Sequence, residues 1–292
     1  MKNKSYRKGV VLAGGTGSRL WPLTKITSKQ LLPVFDKPLI YYPIATLMDF
    51  GIRDILLITA VRDLANFKAL LGDGSQWGIQ ITYAEQKVPD GIPRALQIAD
   101  DFIKSHHCAL ILGDNLFHAD WAALRSSLVQ ENDDIAHILC SRVNHPSDFG
   151  VIEKSEDGAI TNIIEKPTSP PSNWAVTGLY FYPPDARKKS FDLKASKRGE
   201  LEITDLNIRY LEENRLTYHL MDHSNSWFDT GTPDGLLSAS TYVQEMQSLK
   251  TIMIGSPEIA ALNQGWLSRT QLEKFIAKLP QTHYSKMLKS YL

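Results

Sequence analysis

The chain has 292 residues, and its 32 lysines and arginines balance its 32 aspartates and glutamates. A hydrophobic content of 43% over this length predicts one or two folded domains and excludes disorder as the main state. Zero net charge argues against a general binder of nucleic acid or anionic membrane, because such proteins need a broad basic surface. Residues 1–35 nevertheless carry seven basic residues and no acid, since the first acid is Asp36. This segment is expected to meet a small anion.

Short apolar runs alternate with helical patterns along the first two-thirds of the chain. The apolar runs predict strands covered on both faces at residues 9–13, 54–59, 80–83, 109–112 and 135–139. The helical patterns lie between them, at residues 38–50, 63–71, 93–103 and 120–130. The alternation predicts an α/β fold with a doubly wound, mostly parallel (mixed) sheet and helices on both faces. Its ligand crevice should lie beyond the carboxyl ends of the strands.

The pattern changes after residue 150. Residues 151–154 and 159–165 flank a turn-like Glu-Asp-Gly and predict a β-hairpin, and residues 175–182 predict a further strand. From residue 233 onwards the patterns are helical, which predicts a C-terminal helical addition.

The cysteines and the N-terminal segment predict the cellular compartment of the protein. Cys108 and Cys140 lie within apolar runs and are expected to be reduced core residues of a cytoplasmic protein. No segment approaches the roughly 20 apolar residues of a membrane span. The apolar stretch behind the basic N-terminus is too short for a secretion signal.

A glycine-rich segment, Leu-Ala-Gly-Gly-Thr-Gly-Ser-Arg-Leu, occupies residues 12–20. It lacks the last glycine of a dinucleotide fingerprint and the Gly-Lys-Ser/Thr of a Walker loop, which excludes a typical NAD-dependent dehydrogenase. The segment contains Arg19, and Lys29 follows nine residues after its end. Backbone N–H groups, a guanidinium and an ammonium in this order can bind a triphosphate. A tight surface turn with two solvated bases explains the same residues equally well.

Carboxylates that follow strand-like runs are candidate metal ligands. Asp114 ends Leu-Gly-Asp, and Asp229 stands in Trp-Phe-Asp-Thr-Gly. Mg²⁺ is usually held by one or two carboxylates plus phosphate oxygens. Spacing alone also allows each aspartate to be a helix or turn cap. The pair Glu165-Lys166 has two interpretations as well, a sugar-phosphate contact or an exposed charge pair of no consequence.

Nine motifs in order give the chain its family resemblance. Through them it resembles the sugar-phosphate nucleotidylyltransferases, and within that family it looks most like the branch that transfers thymidylate to glucose 1-phosphate. The motifs are residues 14–24, 28–33, 36–43, 71–75, 112–115, 165–167, 175–182, 198–205 and 227–232. The resemblance runs from residue 8 to about 245, and more loosely to the end.

The resemblance implies a reaction, a cofactor and partners. dTTP and α-D-glucose 1-phosphate would give dTDP-glucose and diphosphate with Mg²⁺, as the first step towards dTDP-L-rhamnose and related deoxysugars. A phosphate oxygen would attack the α-phosphorus in line, without a protein nucleophile. The resemblance also implies a homotetramer, a dimer of dimers, with a feedback site for a dTDP-sugar between subunits. The neutral net charge and the lack of a long apolar segment predict no nucleic acid or membrane partner.

Roles for individual residues follow from the same resemblance. The implied catalytic residues are Arg19, Lys29 and Lys166, and the implied metal ligands are Asp114 and Asp229. The implied nucleotide contacts are Leu12, Gly14, Gly15, Thr16, Gly17, Gln30, Gln86 and Gly91. The implied sugar-phosphate contacts are Asn115, Gly150, Glu165, Lys166, Val176, Tyr180 and Arg198. The predicted α/β domain is residues 1–245, with 1–115 mainly for the nucleotide and 145–230 mainly for the sugar phosphate, and 246–292 is the helical extension.

Two positions depart from the family pattern. Where relatives usually carry a glutamine, this chain has Arg94, which is expected either to contact phosphate or to point into solvent. His223 stands where many relatives carry an arginine, and neutral histidine is a poorer phosphate partner at pH 7, so weaker feedback is expected.

Two alternatives stay open. One is a relative with another base or sugar, such as a uridylyl- or cytidylyltransferase. The other is a catalytically inactive regulatory relative, which predicts loss of the arginine, lysine and aspartate set that this chain retains.

Overall fold

A large mixed sheet organises the chain in the computed structural model, which describes residues 8–130, 134–222 and 224–292. The strands are β1 (Lys8–Ala13), β2 (Pro33–Val34), β3 (Lys37–Pro38), β4 (Asp54–Ala60), β5 (Gln80–Gln86), β6 (Cys108–Leu112), β7 (Asn115–His118), β8 (Ala136–Arg142), β9 (Gly150–Lys154), β10 (Ile160–Glu165), β11 (Trp174–Tyr182), β12 (Leu216–Leu220) and β13 (Ser226–Asp229). The helices are α1 (Tyr41–Asp49), α2 (Leu64–Leu71), α3 (Arg94–Ile98), α4 (Asp100–Ile103), α5 (Ala122–Gln130), α6 (Ala186–Phe191), α7 (Ile203–Glu212), α8 (Pro233–Lys250), α9 (Pro257–Asn263), α10 (Arg269–Ile276) and α11 (His283–Lys289).

The sheet is parallel in its centre and antiparallel on one side. Its strand order is β10-β9-β11-β6-β1-β4-β5, with β8 beside β11 and β12 beside β8. β1 pairs in parallel with β4 and β6, and β4 pairs in parallel with β5. β11 runs antiparallel to β6 and β8, and β9 and β10 form the predicted hairpin at the sheet edge. The predicted α/β class with a mixed, mostly parallel sheet is confirmed.

Two hydrophobic clusters lie on opposite faces of this sheet. Val11 belongs to the cluster that includes residues of α1 and α2, and its neighbour Val10 belongs to the cluster that includes residues of α3 and α7. Successive side chains of a strand point to opposite faces, so a strand covered on both sides must be apolar at every position. β5 is different because it is an edge strand with exposed Gln80 and Glu85. Its apolar side chains still pack on both faces, since Ile81 belongs to one cluster and Ala84 packs against the other.

Two predicted helices have different limits in the structure. The helix predicted from residue 38 begins only at Tyr41, because Lys37 and Pro38 form β3 and pair with β2. The helix predicted over 93–103 is divided into α3 and α4 at Ala99, whose φ and ψ of −83° and 6° leave the helical region. β7 and β13, which pair with each other, have no counterpart among the predicted strands.

The C-terminal region is helical, as predicted. α8 begins at Pro233 directly after Thr232, whose side chain accepts a hydrogen bond from Gly235 N–H at 3.1 Å. This helix continues to Lys250, so the predicted domain limit between residues 245 and 246 lies inside it. Within the described ranges, no helix has both the length and the apolar composition required to span a membrane.

Both cysteines are buried and free, in agreement with the sequence. Cys108 lies in β6 and Cys140 in β8, and burial raises the pKa of the Cys108 thiol to about 12. They are core residues without thiolate character near neutral pH.

Candidate active site

A cavity of about 450 Å³ opens where β1, β5 and β6 end. β1 and β6 are parallel neighbours, with Leu12 opposite Leu112, so the loops that follow them leave the sheet side by side. Gly113 N–H donates to the Leu12 carbonyl at 2.9 Å and closes this junction. The antiparallel β11 brings its residues 176–180 to the same end of the sheet. This is the carboxyl-end crevice that the strand order predicts.

Most of the residues singled out from the sequence line this one cavity. They are Leu12, Gly15, Arg19, Gln86, Gly91, Asp114, Asn115, Gly150, Glu165, Lys166, Val176, Tyr180, Arg198 and Asp229. Gly14, Thr16, Gly17, Lys29 and Gln30 do not line it. The fold therefore brings together residues that are separated by more than two hundred positions along the chain.

Gly14 and Gly17 shape the glycine loop from behind the cavity wall. A Cβ on Gly14 would lie 3.0 Å from Cβ and Cδ of Gln86, so only glycine lets that side chain cross the loop. Gly17 has a φ of +64°, and its carbonyl accepts a hydrogen bond from Thr24 Oγ1 at 2.8 Å. The two glycines hold the loop in a shape that leaves Gly15 and Arg19 at the cavity.

Gln30 and Thr16 differ in their exposure to solvent. Gln30 is 1% exposed, and its carbonyl accepts from Ile40 N–H at 2.8 Å, just before α1. Thr16, in the glycine-rich segment, is exposed. Both were predicted as nucleotide contacts, and neither reaches the cavity in this structure.

Asp114 and Asp229 meet through the small sheet formed by β7 and β13. Asn115 stands opposite Asp229 in this antiparallel pair. Thr230 N–H and Thr230 Oγ1 both donate to the Asp114 carbonyl, at 3.1 and 2.7 Å. The two carboxylates are therefore held on adjacent backbone segments at the cavity floor.

Each of these carboxylates has a cationic partner of its own. The Lys29 ammonium donates to Asp114 Oδ2, and Arg19 Nη2 lies 3.7 Å from Asp229 Oδ2. Burial raises the pKa of Asp114, but the charge and hydrogen bond of Lys29 outweigh it and bring this pKa below its ordinary value. Burial raises the pKa of Asp229, and the negative charge of Asp114 raises it further. The Gly231 N–H, Arg19 and Lys29 lower this pKa by less, so it lies above its ordinary value. Two carboxylates that disfavour each other's ionisation are suited to a shared cation.

The donor set fits a hard divalent cation. No cluster of three or more histidine, cysteine or acidic side chains suited to a metal occurs in the described part of the chain. A site of two carboxylates matches Mg²⁺, which is commonly bound by one or two carboxylates, substrate phosphates and water. Asp114 and Asp229 are the residues that would hold it.

A family model described as "Nucleotidyl transferase" matches residues 8–246. The chain belongs to the nucleotidyl transferase family. The family resemblance seen in the motifs is thereby confirmed.

Three relatives of this nucleotidyl transferase illustrate the family. It is 45% identical to the glucose-1-phosphate thymidylyltransferase of Neisseria meningitidis serogroup A over 283 residues, or 96% of this chain and 98% of that one. A solved Bacillus anthracis structure in complex with a sucrose has a TM-score of 0.76 and 39% identity, over 81% of this chain and 94% of that chain. The structure of a UDP-glucose pyrophosphorylase complexed with UDP-glucose has a TM-score of 0.72 and 26% identity, over 82% of this chain and 98% of that chain.

In this nucleotidyl transferase, Asn115, next to Asp114, is held by a residue that the sequence interpretation missed. Trp227 Nε1 donates to Asn115 Oδ1 at 2.6 Å, and Gly178 N–H donates to the same oxygen at 3.0 Å. This orientation leaves Asn115 Nδ2 to donate to Asp114 Oδ1 at 3.2 Å. Trp227 also lines the cavity, and its place two residues before Asp229 in a recognised motif was the available signal.

Glu165 is fixed by contacts from two different elements. Thr204 Oγ1 donates to Glu165 Oε2 at 2.5 Å, and Arg198 Nη2 donates to Glu165 Oε1 at 3.2 Å. A Cβ on Gly150 would lie 2.9 Å from Thr204 Oγ1, so glycine keeps this contact open. Arg198, predicted as an anion contact, also donates to Glu202 Oε2 at 2.7 Å, so its guanidinium is shared between carboxylates.

Lys166 has an unusual backbone and a free side chain. Its φ is +43°, in the left-handed region that non-glycine residues rarely adopt, and Lys166 N–H donates to the Phe149 carbonyl at 2.9 Å. The side chain is exposed and forms no ion pair or hydrogen bond with any residue that the structure describes. Strained backbone at a cavity wall is typical of functional positions.

Arg94, expected to contact phosphate or to point into solvent, has a carboxylate partner in this structure. Arg94 does not line the cavity, and its guanidinium does not extend freely into solvent. Its Nε donates to Asp90 Oδ1 and Oδ2 at 3.0 and 2.9 Å, across one turn of the chain. His223, the other departure, lies outside the described residues.

Proposed function

We propose that this nucleotidyl transferase converts dTTP and α-D-glucose 1-phosphate into dTDP-glucose and diphosphate, the activated sugar from which deoxysugars are made. The observation that carries the proposal is one cavity lined by Arg19, Asp114 and Asp229 on one wall and by Glu165 and Lys166 on the other. The relative named as a glucose-1-phosphate thymidylyltransferase supports the choice of base and sugar, because it is 45% identical over almost its whole length.

The proposed reaction is a direct displacement at phosphorus. An oxygen of the glucose 1-phosphate attacks the α-phosphorus of dTTP, and the bond from that phosphorus to the oxygen bridging to the β-phosphorus breaks. Diphosphate leaves with the electron pair of that bond. The attacking oxygen is already ionised near pH 7, so no general base is needed, and alignment and charge neutralisation are what the protein provides.

The cationic side chains divide this work. Arg19, at the cavity mouth with 57% of its side chain exposed, is free to fork onto the α-phosphate and the departing diphosphate. Lys29 lies outside the cavity lining and acts through its contact with Asp114, and Lys166 binds the incoming sugar phosphate. Mg²⁺ on Asp114 and Asp229 would supply further neutralisation of phosphate charge when bound.

The test is diphosphate release with dTTP, UTP or CTP against glucose 1-phosphate and other hexose 1-phosphates, with and without Mg²⁺. We expect turnover with dTTP and glucose 1-phosphate only when a divalent metal is present. Asp229→Asn should be inactive, whereas Asp234→Asn, an exposed aspartate five positions later in α8, should keep wild-type activity. Preference for UTP or CTP, or activity in the metal-free enzyme, would overturn the proposal.

The proposal extends to domains, assembly and regulation. Residues 1–115 would serve mainly the nucleotide, residues 145–230 mainly the sugar phosphate, and residues 246–292 would form a helical extension. A homotetramer with a feedback site for a dTDP-sugar between subunits is checked by light scattering and inhibition curves. His223→Arg should strengthen that inhibition, and equal inhibition in both proteins would refute the regulatory part.

A further inference from the structure

Residues 87–93, called the base loop here, form one lip of the cavity and are held from outside it. Pro89, Gly91 and Ile92 line the cavity, whereas Asp90 and Arg94 lie behind them. The position of this lip therefore depends on contacts that the substrates do not touch.

Arg94 fastens the base loop to the helical layer. Besides its Nε contacts, Arg94 donates through Nη2 to the Asp90 carboxylate and through Nη1 to Gln97 Oε1. Gln97 Nε2 in turn donates to the Ser190 carbonyl of α6 at 2.7 Å. Forked guanidinium–carboxylate contacts restrict geometry as well as contributing charge attraction. Asp90 is thus held at a defined place relative to α3 and α6.

The base loop also touches the opposite lip, residues 196–202, called the sugar loop here. Leu201 N–H donates to the Asp90 carbonyl at 2.8 Å, and Gly91 forms a parallel bridge with Leu201. Gly91 has a φ of +119°, and a Cβ there would lie 2.7 Å from Leu201 N. The two backbones are in direct contact, and no side chain fits between them.

The sugar loop continues this chain of contacts to the sugar-phosphate wall. Glu202, next to Leu201, accepts from Arg198 Nη2 at 2.7 Å, and the same Nη2 donates to Glu165 Oε1 at 3.2 Å. Arg198, Glu202 and Glu165 all line the cavity. Hydrogen bonds therefore link Arg94, outside the cavity, to the carboxylate assigned to the sugar.

We propose that Arg94 is a positioning residue that couples the two substrate subsites. By holding Asp90, it sets the contact between the base loop and the sugar loop, so that a nucleotide ordering one loop raises the affinity for sugar phosphate at the other. The identity of the two substrates rests on the proposed function, whereas the coupling rests on the contacts alone.

The test measures binding of an α,β-methylene analogue of dTTP with and without saturating glucose 1-phosphate, by calorimetry. The ratio of the two Kd values is the coupling factor, and we expect about fivefold in the wild type. Arg94→Met should bring the factor close to one. Arg94→Lys should give an intermediate factor, since an ammonium keeps the charge without the fork.

Arg187→Met is the matched control. Arg187 pairs with Asp100 and donates through Nε to the Lys104 carbonyl at 2.6 Å, and it does not line the cavity. This variant also loses a half-exposed ion pair of the helical layer, yet it should keep the wild-type coupling factor.

Two outcomes would overturn the inference. One is a coupling factor near one in the wild type. The other is a factor in Arg94→Met equal to that of the wild type, whether or not binding itself is weaker. Binding of a UTP analogue in place of the dTTP analogue would instead refute the assigned base. In that case the same ratio, measured with the UTP analogue, decides whether Arg94 couples the subsites.

Discussion

The two walls of the cavity carry their cations in different ways. On the nucleotide side, Lys29 and Asp114 form a largely buried pair whose side chains are 14% and 11% exposed, and Arg19 lies near Asp229. On the sugar side, Lys166 is exposed, and none of the described residues gives it an ion pair.

The charges of Lys29 and Asp114 also stabilise the fold, whereas the charge of Lys166 is available to a ligand. A buried carboxylate that loses its cation is strongly destabilising, because the remaining charge is desolvated without compensation. An exposed lysine without a partner can be replaced with little effect on the fold. Substitutions on the nucleotide wall should therefore change stability and turnover together, except where the cation is exposed.

Substitution of Arg19 should have the largest effect on turnover. Arg19 is the exposed cation of the nucleotide wall, so its loss should not change stability. Arg19→Ala is expected to lower kcat by about 10²–10³-fold, the scale for losing a donor that stabilises transition-state charge. Its melting temperature should not change, because the side chain is 57% exposed and lies 3.7 Å from its carboxylate. Diphosphate release and calorimetry measure both quantities.

Lys25 provides the control for that experiment. It is an exposed base on the same segment, and Lys25→Ala should keep wild-type turnover. Near-normal kcat in Arg19→Ala would remove Arg19 from the proposed mechanism.

Lys29 and Lys166 test the contrast between the walls directly. Lys29→Met should lower the free energy of unfolding by about 3 kcal/mol, since it leaves Asp114 without its cation. Lys166→Met should change it by about 0.5 kcal/mol or less, while raising KM for the sugar phosphate. Urea unfolding of the two variants gives the comparison. Equal losses of stability would show that the walls do not differ as described.

Asp229 should give a smaller effect with a defined pH dependence. Its pKa in the folded protein lies above the unfolded value of about 3.9, so the folded protein holds the proton more tightly. This carboxyl contributes stability below that unfolded pKa and loses the contribution as pH rises through the folded pKa.

Asp229→Asn should consequently raise the free energy of unfolding at pH 8, because the neutral amide removes a desolvated charge, although the variant should be inactive. At pH 3, below the unfolded pKa, the variant and the wild type should be equally stable. Thermal unfolding at both pH values checks this, and a variant less stable than the wild type at pH 8 would contradict the raised pKa.

The sequence was most informative where a local pattern has a single physical cause. The apolar runs at 9–13 and 109–112 identified β1 and β6, because a central strand must be apolar on both faces. The sequence was less informative for β5, because its short apolar run does not show that this strand lies at the edge of the sheet. The break at Ala99 between α3 and α4 also has no sequence signal, since alanine favours helix.

The candidate site shows the same division. The glycine loop, Asp114 and Asp229 were identified from motifs, and they line the cavity or shape its wall. Trp227 was missed because its role is to orient Asn115, a contact visible only once β7 and β13 are paired. The Arg94–Asp90 pair was not predicted, because a spacing of four residues alone does not show that the guanidinium and the carboxylate meet.

The sequence by itself determined the class of fold, the family and the residue types available for phosphate chemistry. Those features depend on local composition and on motif order, which the chain carries whatever its tertiary contacts. The tertiary structure decided that Asn115 stands opposite Asp229, that Lys29 reaches Asp114, and that the base loop touches the sugar loop. These pairings join residues far apart in the chain, and their register is set by strand pairing and packing across the whole sheet.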